Sequence, residues 1–338
     1  MAEPVTDNRL LMETIHFPAI ILVGPTAIGK TSLALRLAAA FDCEIVSVDS
    51  MQIYRRLDIG TAKPTAGERA ATPHHLIDIV EPEADYTAAD FARDGLKAVA
   101  EITGRQHVPL LTGGTGLYLK VLLEGLFQPG ETGEETETSA GIRAELKKRL
   151  AGEGRERLHG ELRLCDPESA VRIHPHDTQR LLRALEVCLV TGTPLSDHLR
   201  DKPRVADPER EGYRQCLRQH GLRLGLTCDR EELYRRIDAR TGIMVEAGLL
   251  EEVRGLLAMG YGAELKSMQA IGYRHMVEYL AGLRSWEETV QLLARDTRRY
   301  AKRQYTWFRN DPAITWFDRS REEEIVDFVA RYLEKSEE

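Results

Sequence analysis

The 338-residue chain is 42% hydrophobic and 30% charged. These are ordinary globular values that exclude a collagen-like chain, a coiled coil and wholesale disorder, and the length fits one large α/β domain or a core with a second module. Acids exceed bases 54 to 46, a formal net charge of −8 that by itself argues against a nucleic-acid partner.

Five cysteines without a C-x-x-C pair indicate neither a zinc ribbon nor a disulfide framework and fit a reducing cytosol. The run Phe17–Val23 is far too short to span a bilayer, so a soluble cytoplasmic chain without membrane contact is expected. Short apolar runs at 19–23, 44–48, 76–80 and 108–111, separated by amphipathic segments, predict βαβ units and a mostly parallel sheet. Residues 128–140, rich in Glu and Gly, read as an exposed linker. From about 140 to 191 the pattern is purely helical, and a polar stretch at 196–212 leads into a buried strand at 222–227. Helices are expected at 231–246, 249–259, 268–280 and 286–308, then a strand near 313–317 and a terminal helix. The expected division is a core over 1–127, a helical insertion over 128–200 and a return to the core over 201–338.

Residues 24–31, Gly24-Pro25-Thr26-Ala27-Ile28-Gly29-Lys30-Thr31, form a G-x-x-x-x-G-K-T loop between a strand and a helix pattern. Its glycines let successive backbone N–H groups surround phosphate oxygens, Lys30 adds a positive charge, and the Thr31 hydroxyl is suited to Mg²⁺. Many P-loop NTPases end a neighbouring strand in a metal-holding Asp. Here the strand at 108–111 runs instead into Thr112-Gly113-Gly114-Thr115-Gly116. The strand-end carboxylate near the loop is Asp49, where open α/β sheets gather ligands; capping of the next turn is the plainer alternative.

Together GPTAIGKT, the 48–64 run VDSMQIYRRLDIGTAKP, PHHLIDI at 73–79, YTAADF at 86–91, GGTGLYLK at 113–120, HPHDTQRLLRALEV at 174–187, IGYR at 271–274 and TRRYAKRQYTWFR at 297–309 resemble the tRNA dimethylallyltransferases, also called tRNA isopentenyltransferases. The likeness runs over roughly 18–310 in the family's motif order, with Ile28 where Ser is usual and a long acidic linker; it looks like the short bacterial form. It implies an α/β, P-loop NTPase-like core with an all-helical insertion that contacts tRNA as a lid. The implied reaction moves the dimethylallyl group from dimethylallyl diphosphate to N6 of the adenosine just 3′ of the anticodon.

By that resemblance Asp49 takes the amino proton, Thr115 orders the reacting groups, and Lys30, Thr31, the loop amides and Mg²⁺ stabilise the leaving diphosphate. Arg240 matches an arginine reaching the diphosphate, with Arg235 and Arg236 close by. Ser50, Met51 and Gln52, and Gln179, Arg180, Leu181, Leu182 and Arg183, match tRNA-contacting segments. Between Arg295 and Arg309 a local excess of five positive charges, including Arg298, Lys302 and Arg303, reads as a phosphate-tracking stripe or as a solvated basic face. His74-His75 and His174-Pro175-His176 lack companion ligands at metal spacing. A P-loop small-molecule kinase and a noncatalytic RNA-binding module are the competing readings, and a monomer is the default.

Overall fold

The computed structural model describes residues 15–125, 133–200 and 207–337. Strand β1 (Ile20–Val23) leads through the glycine loop into α1 (Lys30–Phe41), followed by β2 (Cys43–Val48), α2 (Ala66–Ala71), β3 (His74–His75), α3 (Ala88–Gly104), β4 (Val108–Gly113) and α4 (Gly116–Glu124). Next come α5 (Gly133–Glu153), α6 (Arg155–Cys165), α7 (Pro167–Arg172), α8 (Thr178–Thr191) and α9 (Leu195–Arg200). The chain continues with α10 (Pro208–His220), β5 (Leu222–Thr227), α11 (Arg230–Glu246), α12 (Leu249–Ala258), α13 (Tyr273–Leu280), α14 (Trp286–Phe308), β6 (Thr315–Asp318) and α15 (Glu322–Glu337).

The six strands pair in parallel in the order β3-β2-β4-β1-β5-β6. Parallel sheets carry helices on both faces, so their inner strands are continuous apolar runs, and β1 and β2 are buried throughout. Alternation divides the side chains between the faces. Ile20 and Leu22 pack with Leu33, Leu37 of α1 and Leu233, Ile237 of α11, while Ile21 and Val23 join Phe91 of α3, Val253 of α12 and Met276 of α13. This is the α/β core with a P-loop that the sequence predicts.

By contacts the chain divides into Met1–Glu124 with Asp207–Glu338, and Gly125–Ala206; the expected edges were 127 and 200. The second unit is all helical around Leu146, Leu158, Leu162, Leu181 and Leu185. Within it Asp166, fully buried, accepts from the Ser169 and Ser196 amides at 2.9 Å each.

Three local expectations are corrected. Residues 133–140, read as linker, begin α5: their Glu residues are good helix formers that favour a helix N-terminus. The rest of that linker, 128–132, lies outside the described residues. The polar 196–212 stretch contains most of α9 and the start of α10, the latter launched by Asp207 as N-cap and Pro208 in the first turn. The apolar run at 76–80 is not a strand, because Leu76 (φ 61°) and Asp78 (φ 57°) turn left-handed; the edge strand is His74–His75 instead. His75 Nε2 lies 2.7 Å from the buried Glu44 carboxylate on β2.

The ends of β2 and β4 meet most closely at Gly113, registered against Val48. A Cβ there would lie 2.0 Å from the Val48 carbonyl oxygen. Gly113→Ala is therefore expected to push the two strand ends apart and destabilise the protein by roughly 1–3 kcal/mol, read as a lowered urea midpoint at unchanged m-value.

Candidate active site

The loop after β1 is shaped by left-handed residues, Ala27 (φ 64°) and Gly29 (φ 112°), and braced from outside. The Ala27 carbonyl accepts from Arg236 Nε at 2.8 Å and the Ile28 carbonyl from Arg319 Nε at 3.1 Å, with Arg319 paired to Glu232. In a trans peptide N–H and C=O point in opposite directions, so the N–H groups of Ile28 and Gly29 turn away from these guanidinium groups. Lys30 Nζ donates to the Gly24 and Pro25 carbonyls at 3.0 and 2.8 Å.

Two cavities sharing Thr26, Asp49, Thr61, Arg240 and Tyr300 open beside the loop. The smaller, about 90 Å³, is lined by Lys30, Thr31, Ser47 and Thr112 among others. The larger, about 320 Å³, adds apolar Met51, Ile237, Met244, Ile271 and Leu293. Burial and the neighbouring Arg240 pull the Lys30 ammonium down to about 7, with Asp49 opposing. Burial lowers the Arg240 pKa as well, again opposed by Asp49. Two desolvated cations around one carboxylate leave the site short of negative charge, the electrostatic signature of an anion pocket.

Asp49 follows β2 and Thr115 follows β4, adjacent strands, which brings them together. Asp49 Oδ1 accepts from the Met51 and Gln52 amides at 2.8 and 3.3 Å, so the turn-capping role is real; among the described residues Oδ2 accepts no hydrogen bond. Thr115 Oγ1 accepts from the Ser50 amide at 3.0 Å, and the Thr115 amide donates to Val48 O at 3.2 Å. Burial and the charge of Asp49 push Tyr300 up to about 12, with the nearby Thr115 and Gln304 side chains opposing.

The loop after Asp49 is anchored twice. Gln52 Nε2 donates to the Thr61 and Ala62 carbonyls at 3.3 Å each, and its Oε1 accepts from Ser47 at 2.9 Å. The Glu252 carboxylate collects the amides of Asp58, Ile59 and Gly60 at 3.0, 2.8 and 3.2 Å and the Tyr273 hydroxyl at 2.6 Å. The IGYR motif thus supplies the tyrosine that steadies DIGT.

Of the four arginines on α11, Arg240 lines both cavities, Arg236 braces the loop, and Arg230 and Arg235 are exposed. Gln179 and Arg180 are exposed on α8, Leu182 and Arg183 half-buried, and Leu181 wholly buried in the helical unit's own core. On α14, Arg295 and Arg299 pair with Asp296 and Arg298 with Asp238. Arg303 lies over the Tyr300 ring and lines the larger cavity, and Lys302 is exposed without an ion pair among the described residues. Sequence reasoning missed Glu252, Gln304 and Arg319, gave Thr112 and Tyr300 no role in the site, and named Arg236 only beside Arg240. For Tyr300 and Gln304 a signal existed: four residues apart, they share one face of the basic helix.

Mg²⁺ binds oxygen ligands and usually takes only one or two from protein, the rest from phosphate and water. The smaller cavity offers that chemistry in Thr31 and Asp49. Thr112 Oγ1, in the same lining, is a buried side-chain oxygen with no hydrogen-bond partner among the described residues. The donor set fits the ion.

Among the described residues no helix is long and apolar enough to cross a membrane. A tRNA dimethylallyltransferase from Desulfotalea psychrophila is 50% identical over 323 residues, spanning 96% of this chain and 98% of that protein. The crystal structure of a full-length tRNA isopentenylpyrophosphate transferase from Bacillus halodurans is similar at a TM-score of 0.67 and 38% identity, covering 95% of this chain and 98% of that one. A eukaryotic dimethylallyltransferase, studied crystallographically acting on tRNA, is similar at a TM-score of 0.70 and 26% identity over 89% of this chain and 74% of that one. The model of the IPP transferase family matches residues 52–311, from the loop after Asp49 to the end of the basic helix, and with relatives this similar along almost its whole length the chain belongs to that family of transferases.

Proposed function

We propose that the protein transfers the dimethylallyl group of dimethylallyl diphosphate to N6 of the adenosine 3′-adjacent to the anticodon of tRNA, releasing diphosphate, in the cytoplasm. One observation carries this reading: half-buried Lys30 and Arg240 beside Asp49, where a cation-rich cavity shares its lining with a partly apolar one. The diphosphate occupies the glycine loop, residues Gly24 to Thr31, with Lys30 and Arg240 meeting its charge. The branched five-carbon group and the adenine share the larger cavity.

The bond between C1 and the diphosphate oxygen breaks with its electron pair leaving on oxygen. The N6 lone pair forms the new bond to C1, and Asp49 Oδ2 receives the amino proton. Thr115 and Tyr300 hold the acceptor side. Thr31 would hold Mg²⁺, which when bound neutralises charge on the departing diphosphate.

The adenine must leave its stack to enter the cavity. Ser50, Met51, Gln52 and Thr115 border that entrance, and Gln179, Arg180, Leu182, Arg183, Arg298, Lys302 and Arg303 contact the rest of the loop. For Leu181 and Gln52 the contact is through backbone, since their side chains are engaged in packing and in holding residues 61–62.

The test incubates protein, Mg²⁺, dimethylallyl diphosphate and unmodified tRNA, digests to nucleosides and reads mass. Dimethylallyl-adenosine from wild type, and far less from Lys30→Ala, is expected. ATP consumption with no modified nucleoside would favour a kinase instead.

A further inference from the structure

Gln304 is 5% exposed on α14, 278 residues from the glycine loop in sequence, yet both ends of its amide are spent on backbone. Its Oε1 accepts from the Thr26 amide at 2.8 Å, and its Nε2 donates to the Gly114 carbonyl at 3.0 Å. An amide N–H can only donate and a carbonyl can only accept, so these two partners fix which way the side chain faces. Gly114 admits it: a Cβ there would lie 2.0 Å from Gln304 Nε2.

The two backbone groups belong to different halves of the site. Thr26 sits in the loop after β1, and Gly114 opens the turn that presents Thr115 after β4. The strands are registered neighbours, Val23 against Gly113, but the sheet ladder stops at those residues. Beyond it the Thr115 turn is tied toward β2 by its amide on Val48 O. Toward β1 the tie is Gln304.

We propose that Gln304 is a positioning residue that sets the diphosphate loop and the Thr115 turn at a fixed distance, so that the allylic carbon of the bound donor meets the acceptor nitrogen in line. It rests on the prenyl-transfer reading above. A glutamine suits the task because one planar group both donates and accepts, and no shorter or singly polar side chain serves two strand ends at once. Misplacing reacting groups by about 1 Å can cost on the order of 100-fold. Neither Thr26 nor Gly114 is among the residues assigned above to tRNA.

Two variants test the tie. Gln304→Met keeps the length and volume and removes both bonds. Gln304→Glu keeps an acceptor for Thr26 and loses the donation to Gly114. Kinetics per folded molecule, donor binding by calorimetry and tRNA binding are measured for each. Gln304→Met is expected to raise the donor KM and lower kcat each about tenfold, with tRNA affinity unchanged. Gln304→Glu is expected to share the fall in kcat, and its carboxylate, adding negative charge to the lining of the diphosphate cavity, also raises the donor KM. If either variant fails to fold, the other decides by the same numbers. Wild-type kcat and KM in Gln304→Met, or wild-type kcat in Gln304→Glu, would overturn the coupling. Absence of modified adenosine from wild type in the same assay would overturn the reaction reading instead.

Discussion

Asp49→Asn is expected to lower kcat by about 10²–10⁴, the span of general-base assistance, while tRNA affinity stays within a few-fold. Asparagine is the informative change because the two carboxylate oxygens have different work. Oδ1 caps the amides of Met51 and Gln52, and an asparagine carbonyl does this equally. What is lost is the charge and the proton acceptor at Oδ2. Asp49→Ala removes the cap too, so any further loss in that variant reports the order of residues 50–52. Single-turnover product formation with enzyme in excess keeps release out of the rate. Asparagine turning over at the wild-type rate would leave Asp49 as a cap alone.

Lys30→Met should cost about 10²–10³ in kcat, the usual loss when one preorganised donor to a developing anion is removed. A second signature comes from its pKa of about 7 against 10.5 in an open chain. A folded pKa below the unfolded one means that the ligand-free protein gains stability as pH rises from about 7 to 10.5, where the unfolded chain still holds the proton. Donor binding runs the other way, since diphosphate restores the ammonium. At pH 8 binding should take up a proton, and donor affinity should weaken as pH climbs above 7. Calorimetry in two buffers of different ionisation enthalpy measures the uptake. Lys30→Met should bind without it, and equal uptake in the two proteins would assign the proton elsewhere.

The parts of the site readable in the chain are those whose chemistry demands a fixed local spacing. The glycine loop is one, and Asp49 and Thr115, each just after a strand, are others. The braces were unreadable for the opposite reason: Arg236, Gln304 and Arg319 reach the loop across 209, 278 and 291 residues, and no local pattern marks such a partner. Arg236 and Arg240 form an intermediate case. They lie four apart on α11, with Arg235 off that face, a periodicity that already sets the loop brace and the pocket arginine apart from the solvated one. The false strand at 76–80 had the right hydropathy; its left-handed residues Leu76 and Asp78 are set by tertiary packing that hydropathy does not record.

The placement of β1 also governs how the chain can be made. Its partner β4 emerges from the ribosome about 90 residues after it, but β5, on its other side, follows only after about 200. Until then a nascent chain carries a half-built sheet with an open, wholly apolar edge, the kind of surface that invites association between chains. Helices α5 to α9 pack on one another, close in sequence, and need no such wait. Arg319 braces a loop that precedes it by 291 residues. The loop is therefore synthesised long before the side chain that holds its Ile28 carbonyl.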